Sequence, residues 1–587
     1  MSERNPYNPG QADGEMKQRT LVAFVLMALV LVAVPYVFKS FFPQQPVKTV
    51  TAKKVDTGTL PVNPSTPIAS SESPQDLAPT GNQSAHAEQL FPVDTSVYHI
   101  VFSNRGGVVK SWTLKKYLNA QGKPLELVNE KAAEVNDRSG AKIWYPFTYY
   151  FRNNAPAVKL DQTALFVGTE SPDGLSINFD FSANGVTAHK RFQFQRDSYL
   201  TSVSSSVSSG GVPVPHQLAW RGGFGDYSVQ SASGIEHEIR YDVPNSKLQN
   251  DGAKAAKDGP VERDGTFSFV GLEDSYFAAV ALPEGNGTTQ TTIFSDTVPS
   301  PSDSAEQPFI GSAVGGKGNN QFELFVGPKD IELLKKVNPK LEQIVDFGYM
   351  WFVAKPLFVA LRFLDHAYVH NYGWSIVVAT ICINFLLFPL RLFNMKSMKK
   401  MQTLQPKIQA INERYKGLGM RDPKMAQKNE ETMALYKENG ANPMAGCLPM
   451  LIQMPFLIAF YKVLAVSIEM RGANWMWVMD LSQPEHLAIR VLPVVMILTS
   501  FLMQRMTPTT GMDPSQQKMM MFMPLVMGFF FYNQSSGLVL YWLTGNLMGI
   551  AQQYFFNKTI APAPVPVKGL PPKALAAKTV ARKPGRK

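Results

Sequence analysis

Five apolar runs crowd into residues 373–557, and they constrain this chain more than any other feature. They cover 374–390, about 443–461, 487–503, 519–532 and 537–550. Several are interrupted in mid-run by a polar residue: Thr380 and Asn384 in the first, Gln453 in the second, Ser500 in the third and Asn546 in the last. A polar side chain inside a bilayer is costly, so it faces a protein interior or a watery cavity and marks function. The runs are expected to span a membrane and to build a polar, embedded surface whose ligand is another membrane segment.

Charge placement supports a membrane reading. At 587 residues the chain is too long for one core, and its net charge of +11 is unevenly distributed. Residues 391–445 hold eleven Lys/Arg against five Asp/Glu, and the stretch after Asn557 holds eight Lys/Arg and no acid. Basic segments beside spans read first as cytoplasmic orientation signals. They read second as contacts for anionic lipid or nucleic acid, with no specific nucleic-acid sequence implied. The two cysteines, Cys382 and Cys447, lie in or beside spans, so the large polar region is no disulfide scaffold and must stand on its hydrophobic core.

In chain order, residues 1–20 are polar and cytoplasmic, and 21–42 form a first transmembrane anchor around the uncharged run 21–38. A cleaved signal peptide is the alternative, but the run is long and no small-x-small site follows it. Residues 43–90, rich in Pro, Ser, Thr and Gln, read as a disordered linker. Residues 91–346 read as an all-β domain. Leu175-Ser-Ile177-Asn-Phe179-Asp-Phe181 alternates, Asn184-Gly185 supplies a turn, and Phe192 and Phe194 resume the alternation. Short strands between Gly, Asn and Pro clusters argue for a sandwich, with a helical segment at 329–346 leading back to the membrane. Residues 347–372, apolar and aromatic but punctuated by Lys355, Pro356, Arg362 and Asp365, suit an amphipathic helix lying in the interface. The five-run core occupies 373–558 and the basic tail 559–587. With the N-terminus inside, every strongly basic loop is cytoplasmic, both termini included, and the β domain lies outside.

The basic loop 391–442 reads as a helical hairpin. Met401, Leu404, Ile408, Ile411 and Tyr415 recur at three- and four-residue steps, which makes a seam for a partner helix. Either the returning helix fills that seam or a ligand docks on it.

Thr380, Asn384 and Arg391 fall on one helical stripe, with Arg391 roughly 10 Å below Asn384 and Pro389 placed to kink the helix between them. Tyr541, Thr544 and Gln552 share a stripe on the last run, and Trp542 and Asn546 form a second one beside it. Taken singly, each of these residues is explained by interhelical hydrogen bonding; polar positions on three spans together favour a shared cavity. The last three apolar cores are short, at roughly 14–17 residues against the usual ~20, which favours a locally thinned bilayer. The 26 methionines include a run at 519–523, suited to binding varied apolar sequences, although ordinary packing explains most of them.

Enzymatic signals are poor. Gly311-x4-Gly316-Lys317 imitates a phosphate loop, but Gly318 stands where Ser or Thr is needed. His366 and His370 are spaced for one metal, yet Ala367 replaces the Glu of a zinc protease. No catalytic set, cofactor or metal is called for.

Several motifs in order carry a resemblance. Leu404-Gln-Pro-Lys-Ile408, Met433-Ala-Leu-Tyr-Lys437, the stretch from Asn442 through Cys447 to Pro455, Pro508-Thr-Thr510 with Asp513-Pro, and Ser536-Gly-Leu-Val-Leu-Tyr-Trp542 closely resemble the YidC family of membrane protein insertases over about 345–558. The β region is similar in size and position, most clearly near Ser103-Asn-Arg-Gly-Gly107. The resemblance implies six spans, a periplasmic β-supersandwich of the Gram-negative type, and a hydrophilic groove open to cytoplasm and lipid. Substrates slide along that groove, alone or with the Sec translocon. It implies that Met454, Leu457, Tyr541 and Trp542 line the substrate path, that the hairpin receives nascent membrane proteins, and that the basic tail approaches the ribosome. One departure stands out: Asn384 occupies the position, five residues before Pro389, where the family usually has an intramembrane arginine. Arg391, on the same stripe, is expected to snorkel up the groove and restore part of the lost field. The function so implied is that of a non-enzymatic insertase and chaperone of the bacterial inner membrane. A small-molecule transporter with a midplane polar site is the alternative; the inverted repeats or paired broken helices that would support it are not found. An intramembrane enzyme is a second rival, opposed by the missing catalytic set.

Overall fold

The computed structural model describes residues 83–559 apart from 120, 138, 228–235, 286, 303–304, 418–421, 441–447 and 507–513. The expected segments 1–20 and 21–42, most of the linker 43–90 and the basic tail from 560 lie outside the described residues.

Alternation builds the β domain as the sequence implies. Along Ser176–Ala183, Ile177, Phe179 and Phe181 are buried while the residues between them are half-buried. Asn184 and Gly185 both have positive φ, 51° and 76°, the signature of the two-residue hairpin turn that lets Val186–Phe194 return beside it. A ten-stranded antiparallel sheet runs from Lys247–Asp251 through His237–Asp242, Phe267–Glu273, Phe277–Pro283, Asn319–Pro328, Leu200–Ser209, Val186–Phe194 and Ser176–Ala183 to Val167–Glu170, with the short Val212–Pro213 added beside Leu200–Ser209. A five-stranded sheet of Val261–Gly265, Thr289–Pro299, Glu306–Lys317, His216–Trp220 and Thr148–Tyr150 packs against it. Leu218 and Val314 of the smaller sheet and Val270, Ala279 and Leu324 of the larger line one cavity of about 40 Å³, apolar and no roomier than a water or two. A four-stranded sheet over residues 90–126 covers the far end, where Phe102 meets Phe192 at 4.9 Å.

Two details differ from the sequence reading. The expected linker ends early: residues 83–89 are tied to the domain, with Gln83 bridged to Ser182 and the Glu88 carboxylate holding Arg105 and Lys110. Burial pushes the Glu88 carboxyl up, but hydrogen bonds from Lys110, Ser103 and Arg105 outweigh it and hold its pKa at about 2. The helical segment expected at 329–346 is two pieces, α1 (Ile331–Val337) and a 3₁₀ turn (Leu341–Ile344), because Pro339 follows the cap residue Asn338 and stops the helix.

Next come α2 (Trp351–Leu364), extended by a π turn through Val369, then α3 (Tyr372–Leu386) and α4 (Phe388–Arg414). The remaining helices among the described residues are α5 (Lys424–Glu438), α6 (Leu448–Val466), α7 (Val491–Met506), α8 (Pro514–Tyr532) and α9 (Ser536–Thr559). α2 is amphipathic: Ala354, Leu357, Phe358 and Leu361 are buried, while Trp351, Val359 and Phe363 are more than half exposed. The break between α3 and α4 falls at Leu387, with Pro389 in the first turn of α4, where its missing N–H costs nothing. Among the described residues no single helix is long and apolar enough to cross a membrane. Trp351–Val369 and Tyr372–Leu386 meet the requirement only as a pair bent by 116°. One apolar core runs from the sandwich through Leu334, Phe347 and Phe358 into Ile376, Phe460 and Leu540 of the helices.

Candidate functional site

Three helices bring polar side chains together, and a fourth adds a backbone carbonyl. Arg391, in the first turn of α4, donates from Nη1 to Gln552 Oε1 of α9 at 2.8 Å and from Nη2 to Gln453 Oε1 of α6 at 3.2 Å. Gln453 Nε2 donates to the Tyr541 hydroxyl at 3.2 Å, and Gln552 Nε2 to the Asn384 carbonyl of α3 at 3.3 Å. Asn384 and Arg391, on either side of the helix break at Leu387, meet the same glutamine. Among the described residues Arg391 has no carboxylate partner. It is half-buried, and Met454, the neighbour of Gln453, is 38 % exposed, so the network opens to its surroundings.

The other expected positions divide. Thr380 is fully buried and bonds its own helix at the Ile376 carbonyl (2.6 Å), and the Asn384 amide does the same at Thr380 (2.8 Å). Asn384 thus joins the network through its backbone alone. Tyr541 is 1 % exposed because its ring stacks on Phe460 at 4.0 Å, so only its hydroxyl reaches the polar group. Leu457 is half-buried against the core. Trp542 packs on Phe531 of α8 at 5.1 Å. Asn546 turns to α7, donating to Ser500 Oγ (2.7 Å), Thr499 Oγ1 (3.2 Å) and the Met496 carbonyl (3.3 Å). The stripe of Trp542 and Asn546 therefore serves helix packing rather than the Arg391 network. Gln552 is the network member that the sequence placed on the right stripe without assigning it a role; its position three turns after Tyr541 was the available signal.

The hairpin seam is occupied. Met401, Leu404 and Ile408 are buried with Tyr436 of α5, Ile411 is buried too, and Tyr415 donates its hydroxyl to Glu431 at 2.9 Å. Of the two readings of this seam, packing by the returning helix is the one observed, and the four apolar positions offer no open surface. The false phosphate loop lies inside the strand Glu306–Lys317. His366 and His370 belong to the turn after α2, and no cluster of metal ligands occurs among the described residues.

At the other end of the helices, the loop 467–490 caps its neighbours. Gln483 O accepts from both Ser536 N and Ser536 Oγ at 2.8 Å, and Leu481 O accepts from Gly537 N at 2.9 Å, at the start of α9. Glu485 Oε2 accepts from Leu492 N of α7 at 2.9 Å, and Asn371, the cap of α3, donates to Asn474 O at 2.9 Å.

Comparison with known proteins covers both regions. The family model described as the YidC periplasmic domain matches residues 90–360, and the 60Kd inner membrane protein model matches 364–563. A curated relative from Syntrophus aciditrophicus (strain SB), named membrane protein insertase YidC, is 33% identical over 92% of this chain and 100% of its own length. A relative of the same name from Geotalea daltonii is 34% identical over 93% of this chain and 100% of its own. Among solved structures, a YidC insertase with its first transmembrane domain resolved aligns over 81% of this chain and 94% of that chain, at 18% identity and a TM-score of 0.35.

Proposed function

The chain belongs to the YidC family of inner-membrane protein insertases, and on that premise we propose that α3, α4, α6 and α9 form a hydrophilic groove, open to lipid, along which nascent membrane segments enter the bilayer. The observation that carries this reading is Arg391, a cation whose hydrogen bonds among the described residues go to the neutral amides of Gln453 and Gln552. A buried charge without a counter-ion is expensive, and a bilayer-level cation marks a pathway. Two bound glutamine oxygens leave a guanidinium with spare donors for a carboxylate or carbonyl of a passing chain. The groove lowers the desolvation cost of a short polar segment, and the client's own apolar span drives the rest.

The membrane layout proposed with it has six spans, both termini in the cytoplasm and the β domain in the periplasm. Length keeps α3, at 15 residues, from passing as a span by itself, and polar residues keep α9 from doing so. α9, at 24 residues, rises about 36 Å but carries Thr544, Asn546, Gln552 and Gln553 on buried faces. The described part of α7, 16 residues, rises about 24 Å against a hydrocarbon core of about 30 Å. Nascent membrane proteins are the clients, the Sec translocon a partner, and the basic loops and tail the approach for the ribosome and anionic lipid.

Photocrosslinking tests the groove. A crosslinker at Met454 is expected to capture a ribosome-bound membrane nascent chain. One at Leu498, 62 % exposed but turned away from the Ser500 face that meets α9, is expected to capture lipid alone. Equal capture at both positions, or none at Met454 with the chain engaged, would overturn the assignment.

A further inference from the structure

The loop 467–490 is held from outside the helical bundle as well as from within. Arg471 reaches the β domain, where its guanidinium pairs with the Asp226 carboxylate, donates to the Leu118 carbonyl at 2.7 Å and lies over the Phe277 ring at 5.2 Å. The two paired side chains are 6 % and 1 % exposed. Asp226 is itself fixed, its N–H donating to Asp274 Oδ2 at 2.7 Å, and Asp274 is locked by the N–H groups of Tyr276 (2.7 Å) and Phe277 (2.6 Å). On its other side the same loop continues α6, receives Asn371 at Asn474 and supplies the carbonyls that hold Ser536 and Gly537 of α9. A Cβ at Gly373 of α3 would lie 2.3 Å from Trp475 Cδ1, so loop and helix are in close contact there as well.

We infer that Arg471 is a positioning residue: with Asp226 it makes the β domain a brace on the rim loop that sets the spacing of α3, α6 and α9. Those helices carry Asn384, Gln453 and Gln552 at the polar network, so the brace acts on the groove proposed above and rests on that reading. The physical ground is asymmetric. A buried ion pair adds little net stability, but removal of one partner is strongly destabilising, and here it removes the charged anchor of the rim loop on the β domain. The loop then trades a fixed anchor for solvent, and the helix ends that it caps loosen with it.

The test is a double-mutant cycle on the full-length chain in lipid nanodiscs, read by amide hydrogen exchange and by crosslinking at Met454. Arg471→Met and Asp226→Asn are each expected to speed exchange at Ser536 and Gly537 about tenfold, with the double variant no worse than either alone. Strand amides at 200–209 should stay unchanged. Crosslinking at Met454 should fall about threefold in Arg471→Met and recover in Arg471→Lys. Unchanged exchange at Ser536 and Gly537 in both single variants would overturn the brace, as would a uniform rise across the β domain. If Met454 fails to crosslink in the parent chain, the groove reading fails alone, because the exchange result still decides whether the brace exists.

Discussion

Each half of the molecule contains a cation with no carboxylate partner among the described residues, and the two are handled in opposite ways. In the β domain, Lys190 is wholly buried, and its ammonium donates to the carbonyls of Gly106 (2.8 Å), Gly107 (3.0 Å) and Phe147 (2.6 Å), 4.1 Å above the Tyr149 ring. Its three donors meet three acceptors, two from the turn at Gly106-Gly107 and one from Phe147 on a separate segment, all three residues having positive φ. Burial still pushes the Lys190 pKa well below its ordinary value. In the helical region Arg391 uses two amide oxygens, one at each terminal nitrogen. Saturation makes Lys190 a fastener of the fold. Incomplete satisfaction beside an exposed Met454 is what the proposed groove rests on.

The comparison breaks most visibly at Lys190. Lys190→Met keeps the methylene packing but leaves three carbonyls without a donor in a dry site. The expected loss is roughly 3 kcal/mol, seen as an earlier denaturant midpoint for the near-ultraviolet signal of the β domain. A midpoint matching the parent would remove the fastening role. Arg391→Ala is expected to reverse the pattern: insertion of a client with an acidic translocated tail should fall about tenfold, equivalent to about 1.4 kcal/mol, with little change in the unfolding midpoint. Intact insertion would show that Arg391 does not stand in for the arginine missing at Asn384. The smallest effect is expected at Asn546→Leu. Loss of its bonds to Ser500 and Thr499 should cost about 0.6 kcal/mol, typical of interhelical hydrogen bonds in a membrane, and leave crosslinking at Met454 unchanged. A drop in crosslinking there would return Asn546 to the substrate path.

Local patterns were legible where their physics is local. The alternation of Ile177, Phe179 and Phe181, the Asn184-Gly185 turn and the seam of Met401, Leu404 and Ile408 each follow from backbone geometry over a few residues. The end of the linker was not legible: Glu88 is anchored by Arg105 and Lys110, side chains that polar composition gives no means of pairing. Composition did not reveal that Asn546 bonds α7, since a polar residue in an apolar run looks the same whether it faces a client or a neighbouring helix.

The sequence alone determined the family, through ordered motifs from Leu404 to Trp542, and the helical stripe on which each polar residue lies. Periodicity fixes a face but says nothing about what that face meets. Only the tertiary structure decided that Arg391, Gln453, Gln552 and Tyr541 converge, while Trp542 and Asn546 go to α8 and α7. It alone brought Arg471 to Asp226, 245 residues away in the chain. Such contacts depend on how whole elements pack, and no short window of sequence contains both partners.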